Sequence, residues 1–222
     1  LFRPFMTKYT RLDRKTRHAA DMYINVLEQL GVTDVANHGL HIETCKEWND
    51  EVFRFYESQG VMPRDKIIGF NIGSAVPEKR WPAERFADVA DYFGNKGYKT
   101  VFFGGPMDLD MVKPVVEQMK TSPIVATGAF KLGPLAAAMK WCDLLITNDS
   151  GPMHVAISQG VPIVALYGPS NPFFYGPYQA KSIVLESMDH YEIGKSMKQV
   201  IKEGKYKGIS VITEEQVIKA AE

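Results

Sequence analysis

From residue 67 onward, short uninterrupted apolar runs alternate with segments of helical periodicity. The runs cover residues 67–72, 100–103, 124–126, 144–147, 162–166 and 182–185. A strand that is buried on both faces needs such a continuous run, because helices cover both sides of a parallel sheet. The alternation therefore predicts an α/β fold with a doubly wound parallel sheet over residues 61–222.

The segments between the runs carry the boundary signals of helices. Helices are predicted over 83–95, 108–120, 135–141 and 151–159. Pro134 is expected at the first position of its helix, where its missing N–H costs nothing. Thr213 and Gln216 have the spacing of a capping box at the start of a last helix.

Residues 1–60 show helical periodicity and no strand pattern, so we treat them as a unit that precedes the sheet domain. One predicted helix follows Asp13 as its N-cap and ends at Gly31, and another covers 46–59. The first 18 residues contain six basic side chains and one acid. This segment fits either a solvated linker or a patch that attracts an anionic surface.

Composition excludes several classes of protein. Basic and acidic side chains number 26 each, so no overall attraction to nucleic acid is expected. Cys45 and Cys142 are too few for a disulfide scaffold or a CxxC metal knuckle, and they fit a reducing compartment. No apolar run approaches the roughly 18 residues that span a bilayer. Because the first residue is Leu1, we expect a processed chain or a piece of a longer one.

The loop over residues 148–154 offers groups that suit a phosphorylated sugar. It follows an apolar run, and ligands of such sheets lie beyond the carboxyl ends of the strands. Gly151 leaves backbone N–H groups at a helix start open to an anion, and His154 can reach the same anion. Asp149 can accept hydrogen bonds from sugar hydroxyls. Ordinary helix capping by Asp149 or Ser150 is the alternative.

A second loop, over residues 71–82, complements the first. Gly73 and Ser74 end a strand, and Lys79 and Arg80 can donate to phosphate oxygens. Taken alone, the segment also fits a solvated basic loop. Together the two loops predict a site for a sugar that is joined to a diphosphate.

Other patterns in the sequence are weaker. Asp108 and Asp110 form a DxD triplet that can hold a metal in some enzymes, but acids at a helix start also favour the helix dipole. Ser150 and His154 lack the GxSxG pattern of a nucleophile, and the other histidines lack metal-ligand spacing. We therefore predict no resident metal or cofactor.

The two loops and their flanks read NIGSAVPEKRWPAERF at 71–86 and CDLLITNDSGPMHVA at 142–156, and YGPS follows at 167–170. These stretches resemble glycosyltransferase family 9, the ADP-heptose:lipopolysaccharide heptosyltransferases, most densely over 67–177. The resemblance implies a GT-B enzyme with two Rossmann-like halves, of which this chain is the C-terminal, donor-binding half. Residues 1–60 would be the connector and helices that follow a missing N-terminal domain. The implied reaction moves a heptosyl or related sugar from an ADP-sugar to a lipopolysaccharide-core acceptor.

The resemblance also implies roles for single residues. Lys79 would contact the donor diphosphate and Asp149 the heptose hydroxyls, with Ser150, Gly151 and His154 at the phosphate end. The residues that would line the pocket are Gly73, Ser74, Ala75, Met107 and Phe130. Ala75 and Met107 depart from the family pattern, which often has a hydroxyl and an acid at these positions.

The implied setting is cytoplasmic, with contact at the inner face of the inner membrane left open. The general base is expected on the missing half, and no metal is expected because the protein supplies the positive field. Two alternatives remain open at this point: a non-catalytic nucleotide-sugar-binding module and an enzyme similar to a UDP-GlcNAc epimerase.

Overall fold

The computed structural model describes residues 17–32, 36–188, 196–204 and 206–222, so Asp13 and the basic side chains before Arg17 lie outside the described residues. Helices α1 (Ala19–Gln29) and α2 (Lys46–Ser58) come first. Strands and helices then alternate as β1 (Ile67–Asn71), α3 (Ala83–Asn95), β2 (Lys99–Phe103), α4 (Leu109–Gln118), β3 (Ile124–Val125), α5 (Leu132–Met139), β4 (Leu144–Asn148), α6 (Gly151–Ile157), β5 (Ile163–Tyr167), α7 (Pro172–Tyr175), β6 (Ser182–Glu186), α8 (Met197–Lys202) and α9 (Glu214–Ala221).

The described strands form a parallel sheet in the order β3-β2-β1-β4-β5-β6, which confirms the predicted doubly wound fold. The order reverses between β1 and β4, and ligands of such sheets lie in the crevice at this reversal. β1 and β4 pair in register, with Asn71 opposite Thr147. The two loops that the sequence predicts to bind a ligand therefore leave the sheet side by side.

Apolar clusters cover both faces of the sheet, as the continuous apolar runs require. β1 and β5 are buried along their whole lengths. One face packs against α2, α5 and α6, and the other packs against α3, α4 and α9. Among the helices described here, none is both long enough and apolar enough to cross a membrane.

Helix α2 belongs to this core although it precedes the first strand. Tyr56 is fully buried, and its hydroxyl donates to the carbonyl of Ala138 in α5 over 3.1 Å. A side chain on Gly133 would collide with the ring of Trp48, so this glycine lets α2 approach α5 closely. The division of the chain into a connector over residues 1–60 and a sheet domain over residues 61–222 stays a prediction.

Two helix starts differ from their predicted positions. His18, and not Asp13, is the N-cap of α1, because its Nδ1 accepts the N–H of Ala20. Helix α5 begins at Leu132, so Pro134 is its third residue and the prediction of a first position was wrong. Proline still fits there, since N–H groups in the first turn of a helix have no intrahelical acceptor.

The capping box at the start of α9 is confirmed. The Gln216 N–H donates to Thr213 Oγ1, and the Thr213 N–H donates to Gln216 Oε1. The short helices α7 and α8 were not predicted, because four and six residues are too few to show a helical period.

Candidate functional site

The two predicted loops meet through a buried ion pair. Lys79 ends a 3₁₀ turn, Pro77–Lys79, in the loop after β1, and Asp149 directly follows β4. Lys79 Nζ lies 2.5 Å from Asp149 Oδ2, and the two side chains are 19% and 6% exposed. A carboxylate buried to this extent needs a compensating partner. The pair therefore ties the two loops together across the crevice.

This pairing adds a contact that the sequence did not reveal. The sequence predicted separate roles, with Lys79 binding a diphosphate and Asp149 binding a sugar. In the structure the two side chains are hydrogen-bonded to each other. Each side chain keeps further capacity, because an ammonium carries three donors and a carboxylate has a second oxygen. Both predicted ligand roles remain predictions.

A third loop reaches the same carboxylate. Ser170 lies in the loop after β5 and is 7% exposed, and its hydroxyl donates to Asp149 Oδ2 over 2.6 Å. Because β5 is the neighbour of β4, this loop borders the crevice on the side opposite β1. The loops after β1, β4 and β5 therefore converge on one oxygen atom.

Two asparagines at strand ends connect the loops further. Asn71, the last residue of β1, donates through Nδ2 to Ser150 Oγ over 2.7 Å. Asn148, the last residue of β4, donates to the Ile72 carbonyl over 2.8 Å and accepts the backbone N–H of Trp81 over 3.0 Å. These bonds fix the two loops relative to each other on both sides of the reversal.

Ser74 is buried and braces the loop that carries Asp149. Its hydroxyl donates to the Asp149 carbonyl over 3.3 Å. Arg80, which the sequence offered as a phosphate donor, directs its Nε to the Ser74 carbonyl over 2.8 Å, so this donor is used within the loop. Ala75, the next residue, is exposed.

The start of α6 combines open space with a half-buried histidine. A Cβ placed on Gly151 would meet no atom of the described residues within 4 Å. Burial lowers the pKa of His154 from its ordinary value of 6.5; the carboxylate of Asp149 opposes this shift, and His18 adds to it. At neutral pH His154 is therefore a neutral hydrogen-bonding group and not a cation.

The remaining predicted residues lie on neighbouring loops. A side chain on Gly73 would collide with the carboxylate of Asp108, which accepts the backbone N–H of Gly105 at the 3₁₀ turn before α4. Met107 is 93% exposed, and Phe130 packs edge-on against Phe55 of α2. Within the described ranges, no group of three His, Cys, Asp or Glu side chains is arranged to hold a metal.

A family model described as glycosyltransferase family 9 (heptosyltransferase) matches residues 3–207. The chain belongs to glycosyltransferase family 9. The sequence of this family 9 chain is 80% identical to that of the glycosyl transferase family 9 from Veillonella parvula DSM 2008, and its fold matches the crystal structure of that protein with a TM-score of 0.93. That match covers 99% of this chain and 63% of the other.

Relatives with assigned names are more distant. Lipopolysaccharide heptosyltransferase 2 of Escherichia coli K12 is 32% identical over 157 residues, which is 68% of this chain and 44% of that protein. The structure of E. coli ADP-heptose lps heptosyltransferase II is 26% identical, with a TM-score of 0.67, and the match covers 82% of this chain and 52% of that one. The family 9 chain thus spans about half the length of the curated relatives it matches. The agreement confirms the Rossmann-like fold class of a GT-B glycosyltransferase.

Sequence reasoning missed the roles of the asparagines and of Ser170 in this family 9 chain. Asn71 and Asn148 end apolar strands and are almost completely buried, and buried amides need hydrogen-bond partners. A polar residue at the end of an apolar run is the signal that could have found them. Ser170 carries no such signal, because serine is common in loops. The family-like stretch at 167–170 includes it without assigning it a role, and its contact with Asp149 is what indicates one.

Proposed function

We propose that this chain is the donor-binding part of a heptosyltransferase that moves a heptosyl or related sugar from an ADP-linked donor to a lipopolysaccharide-core acceptor. Membership of family 9 and the relatives named as heptosyltransferases support this class of reaction. The observation that carries the proposal is the Lys79–Asp149 pair. It places a cation and a carboxylate at the reversal of strand order, where such folds bind their ligands.

The two members of the pair suit the two parts of the donor. A diphosphate is anionic, and the ammonium of Lys79 attracts it and donates to its oxygens. A sugar presents hydroxyl groups, which donate to the carboxylate of Asp149. In this scheme Ser150, Gly151 and His154 lie at the phosphate end of the donor.

The reaction separates the sugar from the diphosphate, so negative charge grows on the leaving group. Lys79 stabilises this charge from a position fixed before the reaction, and the protein's own donors supply the field without a resident metal. The acceptor hydroxyl transfers its proton to a general base. This base belongs to the remainder of the enzyme, in accord with a chain that spans about half the length of its curated relatives.

The acceptor is part of an amphiphile, and we propose that the cytoplasmic enzyme meets it at the inner face of the inner membrane. Helix α1 supports this setting because Tyr23, Leu27 and Leu30 recur at helical spacing and are 70%, 43% and 56% exposed. The sequence before this helix is basic. An apolar stripe beside a basic segment suits an anionic lipid surface.

Calorimetric titration with ADP and with ADP-heptose tests the site. Lys79→Ala is expected to weaken binding of both ligands about tenfold or more, because a charge-assisted contact to the diphosphate is lost. Asp149→Ala is expected to weaken ADP-heptose more than ADP, since ADP has no heptose. Lys140→Ala, at an exposed lysine just after α5, is the control and should bind like the wild type.

The outcomes separate the site from the function. Affinities equal to those of the wild type in both site variants would remove the assignment of Lys79 and Asp149. A wild-type protein that binds neither ligand would remove the proposed function itself.

A further inference from the structure

The environment of Asp149 contains one donor more than an ion pair needs. Lys79 Nζ and Ser170 Oγ both point at Oδ2, over 2.5 and 2.6 Å. The Asp149 side chain is 6% exposed, so these two donors, rather than water, stabilise its carboxylate. Among the described residues, no group donates to its other oxygen, Oδ1. The carboxylate is thus held at one oxygen by the protein and keeps the other for a ligand.

The two hydrogen-bond donors to Asp149, Lys79 and Ser170, are not equivalent once an ADP-sugar is bound. The diphosphate competes with Asp149 for the ammonium of Lys79, because both are anionic. An ammonium carries three donors, so Lys79 can bind the diphosphate and still pair with Asp149, but its direction is then no longer set by Asp149 alone. A neutral serine hydroxyl has no comparable attraction to the diphosphate, and Ser170 stays on the carboxylate.

The position of Ser170 allows it to hold the Asp149 carboxylate in one orientation. It is 7% exposed and lies on the loop after β5, separate from the loops that carry Lys79 and Asp149. A movement of Lys79 in the loop after β1 therefore leaves the Ser170 hydroxyl in place. The rotation of the carboxylate, and with it the direction of Oδ1, is set by a group that does not take part in phosphate binding.

We infer that Ser170 is a positioning residue of the donor site: its hydroxyl orients the Asp149 carboxylate toward the sugar while Lys79 binds the diphosphate. This inference rests on the proposed function. It predicts that Ser170 determines the discrimination between ADP-heptose and ADP, and contributes little to the binding of ADP itself.

The test is calorimetric titration of the purified protein with ADP-heptose and with ADP. Ser170→Ala should weaken ADP-heptose about tenfold and change ADP by less than about twofold, because only the contact to the sugar depends on the carboxylate. Ser170→Thr keeps the hydroxyl and should restore most of the loss. Ser158→Ala is a matched control, since Ser158 is also buried and donates to the Val155 carbonyl at the far end of α6.

Each result supports or overturns the inference. A loss of ADP-heptose binding in Ser170→Ala that is matched by Ser158→Ala, or that affects ADP equally, would reveal a structural role only and overturn it. Thermal unfolding of each variant checks that the comparison is between folded proteins. If the wild type binds ADP-heptose and Ser170→Ala binds it equally well, the inference fails while the proposed function stands. If the wild type binds neither ligand, both fall.

Discussion

His154 shows how local burial changes what a side chain can do. The sequence predicts a group that reaches an anion from the first turn of α6. Burial lowers its pKa from the ordinary 6.5, with His18 adding to the shift against the carboxylate of Asp149. The imidazole is therefore uncharged at neutral pH, and the positive charge that faces Asp149 comes from Lys79.

The shift predicts a pH dependence of stability. The folded protein takes up the His154 proton at lower pH than the unfolded chain, so stability is complete above about pH 6.5 and declines as the pH falls below it. Between about pH 7.5 and about pH 5.5 the melting temperature of the wild type should fall further than that of His154→Gln, which cannot take up this proton. Equal falls in the two proteins would contradict the prediction.

At the scale of elements, α1 has one face packed against the rest of the described chain and one face exposed to solvent. Its N-cap His18 stacks on Tyr178 with ring centroids 4.6 Å apart, and the hydroxyl of Tyr178 donates to Asp21 in the first turn. Met22 is buried, while Tyr23 and Leu27 are exposed. The helix is thus attached at its start to the segment that follows α7, and its exposed apolar side chains are presented outward.

Membrane contact through α1 is testable with one charge. Leu27→Glu should reduce co-sedimentation with vesicles that contain phosphatidylglycerol, because a carboxylate in the apolar stripe opposes insertion and is repelled by anionic lipid. Val211→Glu places the same charge at a site of equal exposure, 45% against 43%, but away from α1, and should leave sedimentation unchanged. If the wild type does not sediment, or both variants behave alike, the proposed contact is wrong.

At the scale of the molecule, α2 and the sheet share a hydrophobic core. Val52 and Tyr56 of α2 are fully buried in the same cluster as β1 and β5. The contact of α2 with α5 includes a hydrogen bond from Tyr56 to Ala138. Such packing favours a single cooperative unit rather than a separable connector.

Truncation of a buried α2 residue tests this cooperativity. Tyr56→Ala should lower the free energy of unfolding by about 3–5 kcal/mol, the usual cost of deleting a buried aromatic ring. Phe53→Ala on the same helix, where the side chain is 46% exposed, should cost less than about 1 kcal/mol. Urea unfolding followed by circular dichroism and by tryptophan fluorescence should give coincident transitions. A Tyr56→Ala protein that unfolds in two steps would instead support a boundary near residue 60.

The sequence by itself determined the architecture and the location of the candidate site. Continuous apolar runs between helical segments require a sheet covered on both faces, and loops at strand ends must lie at its carboxyl edge. These features are local, because they depend on hydrophobic periodicity and on turn residues within a few positions. The family motifs further singled out Lys79 and Asp149 as candidate ligand-binding residues.

Only the tertiary structure decided which of these groups touch. Lys79 and Asp149 are 70 positions apart, and their pairing depends on β1 lying beside β4. Strand order is a property of the packed sheet and has no local signature in the chain, which is why the shared oxygen of Asp149 and the role of Ser170 could not be predicted. The start of α5 escaped prediction for a related reason: Leu132 and Gly133 belong to its first turn, where Gly133 lies against Trp48 of α2, and the local sequence does not show this contact.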